Sequence, residues 1–173
     1  MTATLTRAEQ AWQLLEGLSD PEIPVITLRE LGILRDVREG AQGLEVVITP
    51  TYRGCPAMGQ IEDDVKAALA TAGLQATVVT QLAPAWTTDW MTDAAKDKLR
   101  AYGIAPPHAC ASAASGSANV VQFAASGTKA EVVHCPQCGS GNTTETSHFG
   151  STACKALYRC LDCMEPFDYF KPY

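Results

Sequence analysis

Ile48-Thr49-Pro50-Thr51-Tyr52-Arg53-Gly54-Cys55-Pro56 places a strand end, a glycine turn and a cysteine directly before a helical stripe. Upstream, Leu44, Val46 and Ile48 alternate with the period of a half-buried strand. Downstream, Met58, Ile61, Val65, Leu69 and Ala72 recur at helical spacing, and Gly73 is placed as the C-terminal cap. Pro56 suits the first helical position, where its missing N–H has no partner, so Cys55 is expected at the N-cap with its sulfur toward unpaired amides. That setting lowers a thiol's pKa and offers thiolate as nucleophile or metal ligand. On geometry alone, a buried cysteine packing as a small hydrophobe is an equal alternative.

Working back from this stretch, Ile33 to Arg38 and Leu44 to Thr49 read as a hairpin turning at Gly40-Ala41-Gln42-Gly43. Before it, Thr6-Arg7-Ala8-Glu9 has the capping-box pattern, and Ala8, Ala11, Trp12, Leu15 and Leu18 predict a helix to about Leu18. Asp20-Pro21-Glu22-Ile23-Pro24 ends that helix in an extended turn. The short Asp20 carboxylate suits backbone N–H groups there, as a turn former or at the edge of a cleft. Working forward, Thr77 to Leu82 is a third strand reached by a right-handed crossover. Trp86 and Trp90 then fall in a loop where they would seal the sheet, with a lid over Cys55 as the other reading. Thr92 caps a last helix that Gly103 terminates.

The 173 residues carry a formal net charge of −6, with no Lys/Arg run, which argues against nucleic acid or an anionic membrane as the main partner. No apolar segment approaches membrane-spanning length, and Met1-Thr2-Ala3-Thr4 lacks the features of a signal peptide, so the chain reads as cytoplasmic. Seven cysteines, four of them in C-x-x-C pairs, point to metal binding in a reducing compartment.

The expected organisation is α+β: an α-β-β-α-β-α unit with a mixed sheet over residues 1–104, an Ala/Ser-rich linker over 105–130, and a small β zinc ribbon over 131–173. Val120 to Phe123 within the linker could form a docking strand, and Cys110 reads as an incidental thiol. In the ribbon, Cys135-Pro136-Gln137-Cys138 and Cys160-Leu161-Asp162-Cys163 form two knuckles whose four thiolates close a tetrahedron around a structural zinc ion. Iron is the rival occupant. Cys154, six residues before Cys160, lies roughly 20 Å away along an extended strand. It is therefore read as a packing residue or a second-site thiol. His134 and His148 are read as neighbours of the knuckles rather than ligands.

The segments Asp20-Pro21-Glu22-Ile23-Pro24, Leu31-Gly32-Ile33, Thr49-Pro50-Thr51, Gly54-Cys55-Pro56 and Pro84-Ala85-Trp86-Thr87 resemble the iron–sulfur assembly domain of SufT-like proteins. That domain joined to a four-cysteine ribbon, with the run from Phe149 to Cys160 and Pro166-Phe167-Asp168-Tyr169-Phe170, is similar to the D-component family encoded with multicomponent phenylacetyl-CoA epoxidases of aerobic phenylacetate degradation. The resemblance implies an accessory protein, not an enzyme, that helps metallate the oxygenase or its reductase. It also implies a transient iron ion or iron–sulfur cluster at Cys55, with Asp20, Thr49 and Thr51 as neighbours. One thiolate cannot hold a cluster alone. A homodimer, a partner's cysteine or a small thiol would complete the shell, and iron–sulfur carrier proteins join the oxygenase and reductase components as implied partners. Two other roles are compatible: a non-catalytic stoichiometric subunit bridging oxygenase and reductase, and a small redox carrier with iron in the four-cysteine site. A cysteine-nucleophile enzyme is disfavoured, because no histidine lies near Cys55 in sequence.

Overall fold

The computed structural model describes residues 5–41, 43–108 and 132–173. Most of the expected linker, the docking strand at 120–123 and Cys110 lie outside the described residues. Helix α1 (Arg7–Leu15) opens on a complete capping box: the Thr6 N–H donates to the Glu9 carboxylate at 2.7 Å, and the Glu9 N–H donates to the Thr6 hydroxyl at 3.2 Å. The helix stops before Leu18, and residues 16–33 run irregularly while burying Ile23, Ile26, Leu28 and Leu31.

Strands β1 (Leu34–Gly40) and β2 (Gly43–Ile48) form the antiparallel hairpin, with Val37 opposite Val46. Helix α2 (Met58–Thr71) follows, and β3 (Ala76–Thr80) returns parallel to β2, so the sheet is mixed in the order β1-β2-β3. Leu44, Val46 and Ile48 are at most 1% exposed, as are Ile61, Val65 and Leu69 of α2. The two predicted periodicities thus meet in one core. Gly73 turns the chain out of α2 with φ +69°, a conformation that costs glycine little.

Helix α3 (Asp93–Tyr102) is capped by Thr92 and ended by Gly103. Directly after it, β4 (Ile104–Ala105) pairs parallel with β7 (Pro166–Phe170). The sheet continues through β6 (Lys155–Cys160) to β5 (Thr143–Ser147), giving the order β4-β7-β6-β5. The mixed α/β first unit and the β ribbon agree with the expected fold class. The two residues at which the composition changes are a strand of the ribbon's sheet.

The units also share a core. Cys154 and Phe170 of the ribbon belong to the same apolar cluster as Leu15, Ile48 and Ile61. Trp86 is 4% exposed, donates its Nε1–H to the Leu31 carbonyl at 3.0 Å, and lies 6.0 Å from Phe170 and 6.3 Å from Tyr173 between ring centroids. It seals the junction between the units rather than the end of the sheet. Trp90 lies apart from it, half-buried, with the Arg35 guanidinium 3.6 Å above its ring. Among the described residues no helix is long and apolar enough to cross a membrane.

Candidate functional site

Asp20 is buried where the chain leaves the first helical segment, and its Oδ1 accepts the N–H groups of Glu22 at 2.8 Å and Ile23 at 2.9 Å. Burial outweighs those two bonds and the nearby Lys155 ammonium, and raises the carboxyl above its ordinary value. Thr49 follows β2 and donates its N–H to Ile33 at 2.9 Å. Its hydroxyl is buried and meets no partner among the described residues. Thr49, Thr51, Tyr52, Trp86 and Tyr173 line a cavity of about 380 Å³. Cys55 is not among its lining residues.

Cys55 is half-buried, donates its N–H to Tyr52 at 3.4 Å and accepts from the Met58 N–H at 3.3 Å. The helix begins later than expected, at Met58 with Ala57 as N-cap, so Cys55 and Pro56 form a turn ahead of it. The expected lowering of the thiol's pKa is accordingly reversed. Burial raises it; the Ala57 N–H opposes that rise, while Glu22, Cys154 and Asp20 add to it. One amide reaches the sulfur, and desolvation with three acidic neighbours overcomes it.

The structure thus brings Asp20 and Cys55 into one electrostatic neighbourhood and sets Thr49 and Thr51 along the adjoining cavity. Three further groups belong with them. Cys154 is 5% exposed, with the Thr152 hydroxyl 2.9 Å from its sulfur, and its thiol is likewise raised by burial. Tyr52 is pushed up to about 12 by burial and by Cys55, Cys154 and Glu22. Lys155 is buried with its Nζ 3.7 Å from Asp168 Oδ2. Glu22 was visible within the Asp20-Pro21-Glu22 run, and Cys154 as a packing residue or a second-site thiol. Nothing in the sequence singled out Tyr52 or Lys155 as their neighbours.

The second centre lies in the ribbon. The sulfurs of Cys135, Cys138, Cys160 and Cys163 all fall within 4.8 Å of one another, with Cys135 to Cys163 at 3.7 Å and Cys138 to Cys160 at 3.6 Å. A tetrahedral ion with metal–sulfur bonds of about 2.3 Å needs sulfurs about 3.8 Å apart, so these residues fit one. Gly139, at φ +75°, closes the first knuckle by donating its N–H to Cys135 at 2.9 Å. Asp162 ties the knuckles together through Ser140 and through the Asn142 side chain at 2.8 Å. The Cys163 amide, donating to Cys160, leads the effects that lower that thiol to about 7. His134 stays beside the first knuckle, 3.1 Å from the Gly139 carbonyl, whereas His148 lies beyond the far end of β5 against Glu145.

Both centres fall within recognised families. Residues 8–80, which include Asp20, Thr49, Thr51 and Cys55, match the family described as iron-sulfur cluster assembly protein. Residues 120–171, which include the four ribbon cysteines and Cys154, match the PaaD zinc beta ribbon domain. An Escherichia coli (strain K12) protein, named as the D component of a "Putative 1,2-phenylacetyl-CoA epoxidase", is 46% identical over 168 residues, covering 95% of this chain and 93% of that one. Among solved structures, a domain of unknown function, DUF59, from Bacillus anthracis is 30% identical with a TM-score of 0.49, over 54% of this chain and 91% of that one. A conserved hypothetical protein from Thermotoga maritima is 25% identical with a TM-score of 0.45, over 57% and 98%.

Proposed function

Because the chain belongs to the D-component family of 1,2-phenylacetyl-CoA epoxidases, we propose that it is a non-catalytic accessory protein of such an epoxidase system, acting in metal maturation. Its cargo is iron or an iron–sulfur cluster, held transiently at Cys55 and passed to the oxygenase or its reductase. The observation that carries this reading is a half-buried cysteine within the electrostatic reach of a buried carboxyl, inside a segment that matches an iron–sulfur assembly family. No histidine lies near Cys55 in sequence, which supports a ligand over a base-activated nucleophile.

The chemistry suits a carrier. Cys55 is held as a thiol by its surroundings, so taking up a soft metal requires loss of that proton, and reprotonation favours release. Burial raises the Asp20 carboxyl as well, so the charged forms of both groups are disfavoured until cargo arrives. In the ribbon, Cys135, Cys138, Cys160 and Cys163 would hold a structural zinc ion, whose four-thiolate shell fixes the knuckles without an open position. The ribbon is then a rigid docking surface. The proposed units, 1–104 and 131–173 with a linker over 105–130, work in the cytoplasm, where thiols stay reduced. Iron–sulfur carrier proteins supply the cargo, and a second copy of the chain is one source of further ligands.

The test is to produce the epoxidase components in cells with the chain, without it, and with Cys55→Ser, then to measure their iron content and activity. Restoration only by co-production of the unaltered chain is expected. Full metallation with Cys55→Ser would overturn the ligand role. A second reading, a stoichiometric subunit bridging oxygenase and reductase, is favoured by Leu161 and Met164 at the second knuckle, which are 47% and 52% exposed. It requires that purified, iron-free chain added to metallated components restores activity in proportion to its amount.

A further inference from the structure

Seven cysteines are present, four close the ribbon centre, and Cys110 lies outside the described residues, which leaves Cys55 and Cys154. They come from different units, 99 positions apart, yet enter the same core cluster: Cys154 is one of its buried members and Cys55 packs against it. Several contacts hold them there. Lys171 donates its N–H to the Cys154 carbonyl at 3.0 Å, and the Tyr173 hydroxyl donates to the Ala153 carbonyl at 3.4 Å. The Tyr173 ring in turn stacks on Tyr52, whose carbonyl accepts the Cys55 N–H.

We propose that Cys154 is a ligand together with Cys55, so that docking of the ribbon builds a two-thiolate site for a thiophilic metal ion at the junction of the units. The inference deepens the reading of Cys55 as a metal-holding thiol and rests on it. Two sulfurs answer the difficulty of a single thiolate, because both come from one chain and no second copy is required. The chemical setting points the same way. Asp20 and Glu22 lie within the electrostatic reach of both thiols, and the buried Lys155 supplies an opposing charge. Burial disfavours the charged form of both thiols, and Cys154 disfavours it further at Cys55. A divalent cation relieves the repulsion between the sulfurs as the protons leave. The four-cysteine group is the only ready-made ligand cluster among the described residues. An ion at the junction therefore has to draw its ligands in, as befits cargo that must also leave.

Cobalt(II) tests this in the full chain with zinc already in the ribbon and Cys110→Ala as background, since cobalt binds more weakly than zinc and leaves the ribbon filled. One cobalt ion with a thiolate-to-metal charge-transfer band is expected, its intensity that of two sulfurs. Cys55→Ser and Cys154→Ser should each reduce the band and weaken binding by about tenfold or more, at unchanged zinc content. Loss with Cys55→Ser but no change with Cys154→Ser would overturn the shared site and leave the Cys55 reading standing. No change with either variant would overturn both. Should Cys154→Ser fail to fold, dibromobimane on the Cys110→Ala chain decides: a Cys55–Cys154 cross-link blocked by cobalt supports the site, and its absence overturns it.

Discussion

Tyr52 and Tyr173 stack with ring centroids 6.4 Å apart and planes 17° from parallel, joining the loop that leads into Cys55 to the segment that follows β7. Trp86 meets Tyr173 edge-on and also touches Phe170, so three aromatic contacts clamp the ribbon onto the first unit. The environment of Cys55 therefore depends on a contact between modules as much as on its own loop.

Trp86→Ala should destabilise the chain by about 3–5 kcal/mol, because it removes a buried indole at that contact. Trp86→Phe should cost less, about 1–3 kcal/mol, mostly for leaving the Leu31 carbonyl without its donor. Urea unfolding midpoints of the two variants check the order.

Removing the ribbon metal with a chelator should loosen β6 and β7, which hold Cys160 and Phe170, and so expose Trp86. A red shift in tryptophan emission, reversed by adding zinc, is the expected readout. The same treatment of Trp86→Phe should give a much smaller shift.

Gly32→Ala should destabilise by at least about 1–2 kcal/mol, the cost of a left-handed conformation for an L-residue. Gly32 has φ +80°, and an added Cβ would come within 2.8 Å of the Trp90 Cβ. Thermal unfolding checks it, and Gly59→Ala, where an added Cβ meets nothing within 4 Å, serves as the near-neutral comparison.

Asp20 has a folded-state pKa raised above its unfolded value, so the native state keeps the proton to higher pH than the unfolded state does. Its contribution favours folding below the ordinary aspartate value and is lost as pH rises through the folded pKa. Asp20→Asn can still accept the Glu22 and Ile23 amides and carries no charge. The stability difference between Asp20→Asn and the unaltered chain should therefore grow in favour of the variant as pH rises from that value toward neutrality. Urea titrations at a series of pH values measure that difference, and a flat one would refute the burial argument.

The first unit was legible because its signals are local. Thr6 and Glu9 stand at capping distance, Val46 and Ile48 keep the strand period, and Ile61, Val65 and Leu69 keep the helical one. The ribbon centre was legible because its ligands come as two short-range pairs. What escaped the sequence is the joining of the units, since β4 is two residues long and pairs with a strand more than sixty positions away. Cys55 was misread at its pKa for a related reason. The amide that lowers it is local, while the burial that raises it and the added effect of Cys154, 99 positions away, arise only on folding.

The separation of Cys55 from Cys154 also has a meaning in time. The chain leaves the ribosome with Asp20, Thr49 and Cys55 ahead, and Cys154 follows 99 residues later. At roughly 5–20 residues per second, that delay is on the order of 5–20 s. During that interval Cys55 is without Cys154 and Phe170, which belong to the apolar cluster it packs against in the finished chain, and its neighbour Tyr52 is without Tyr173.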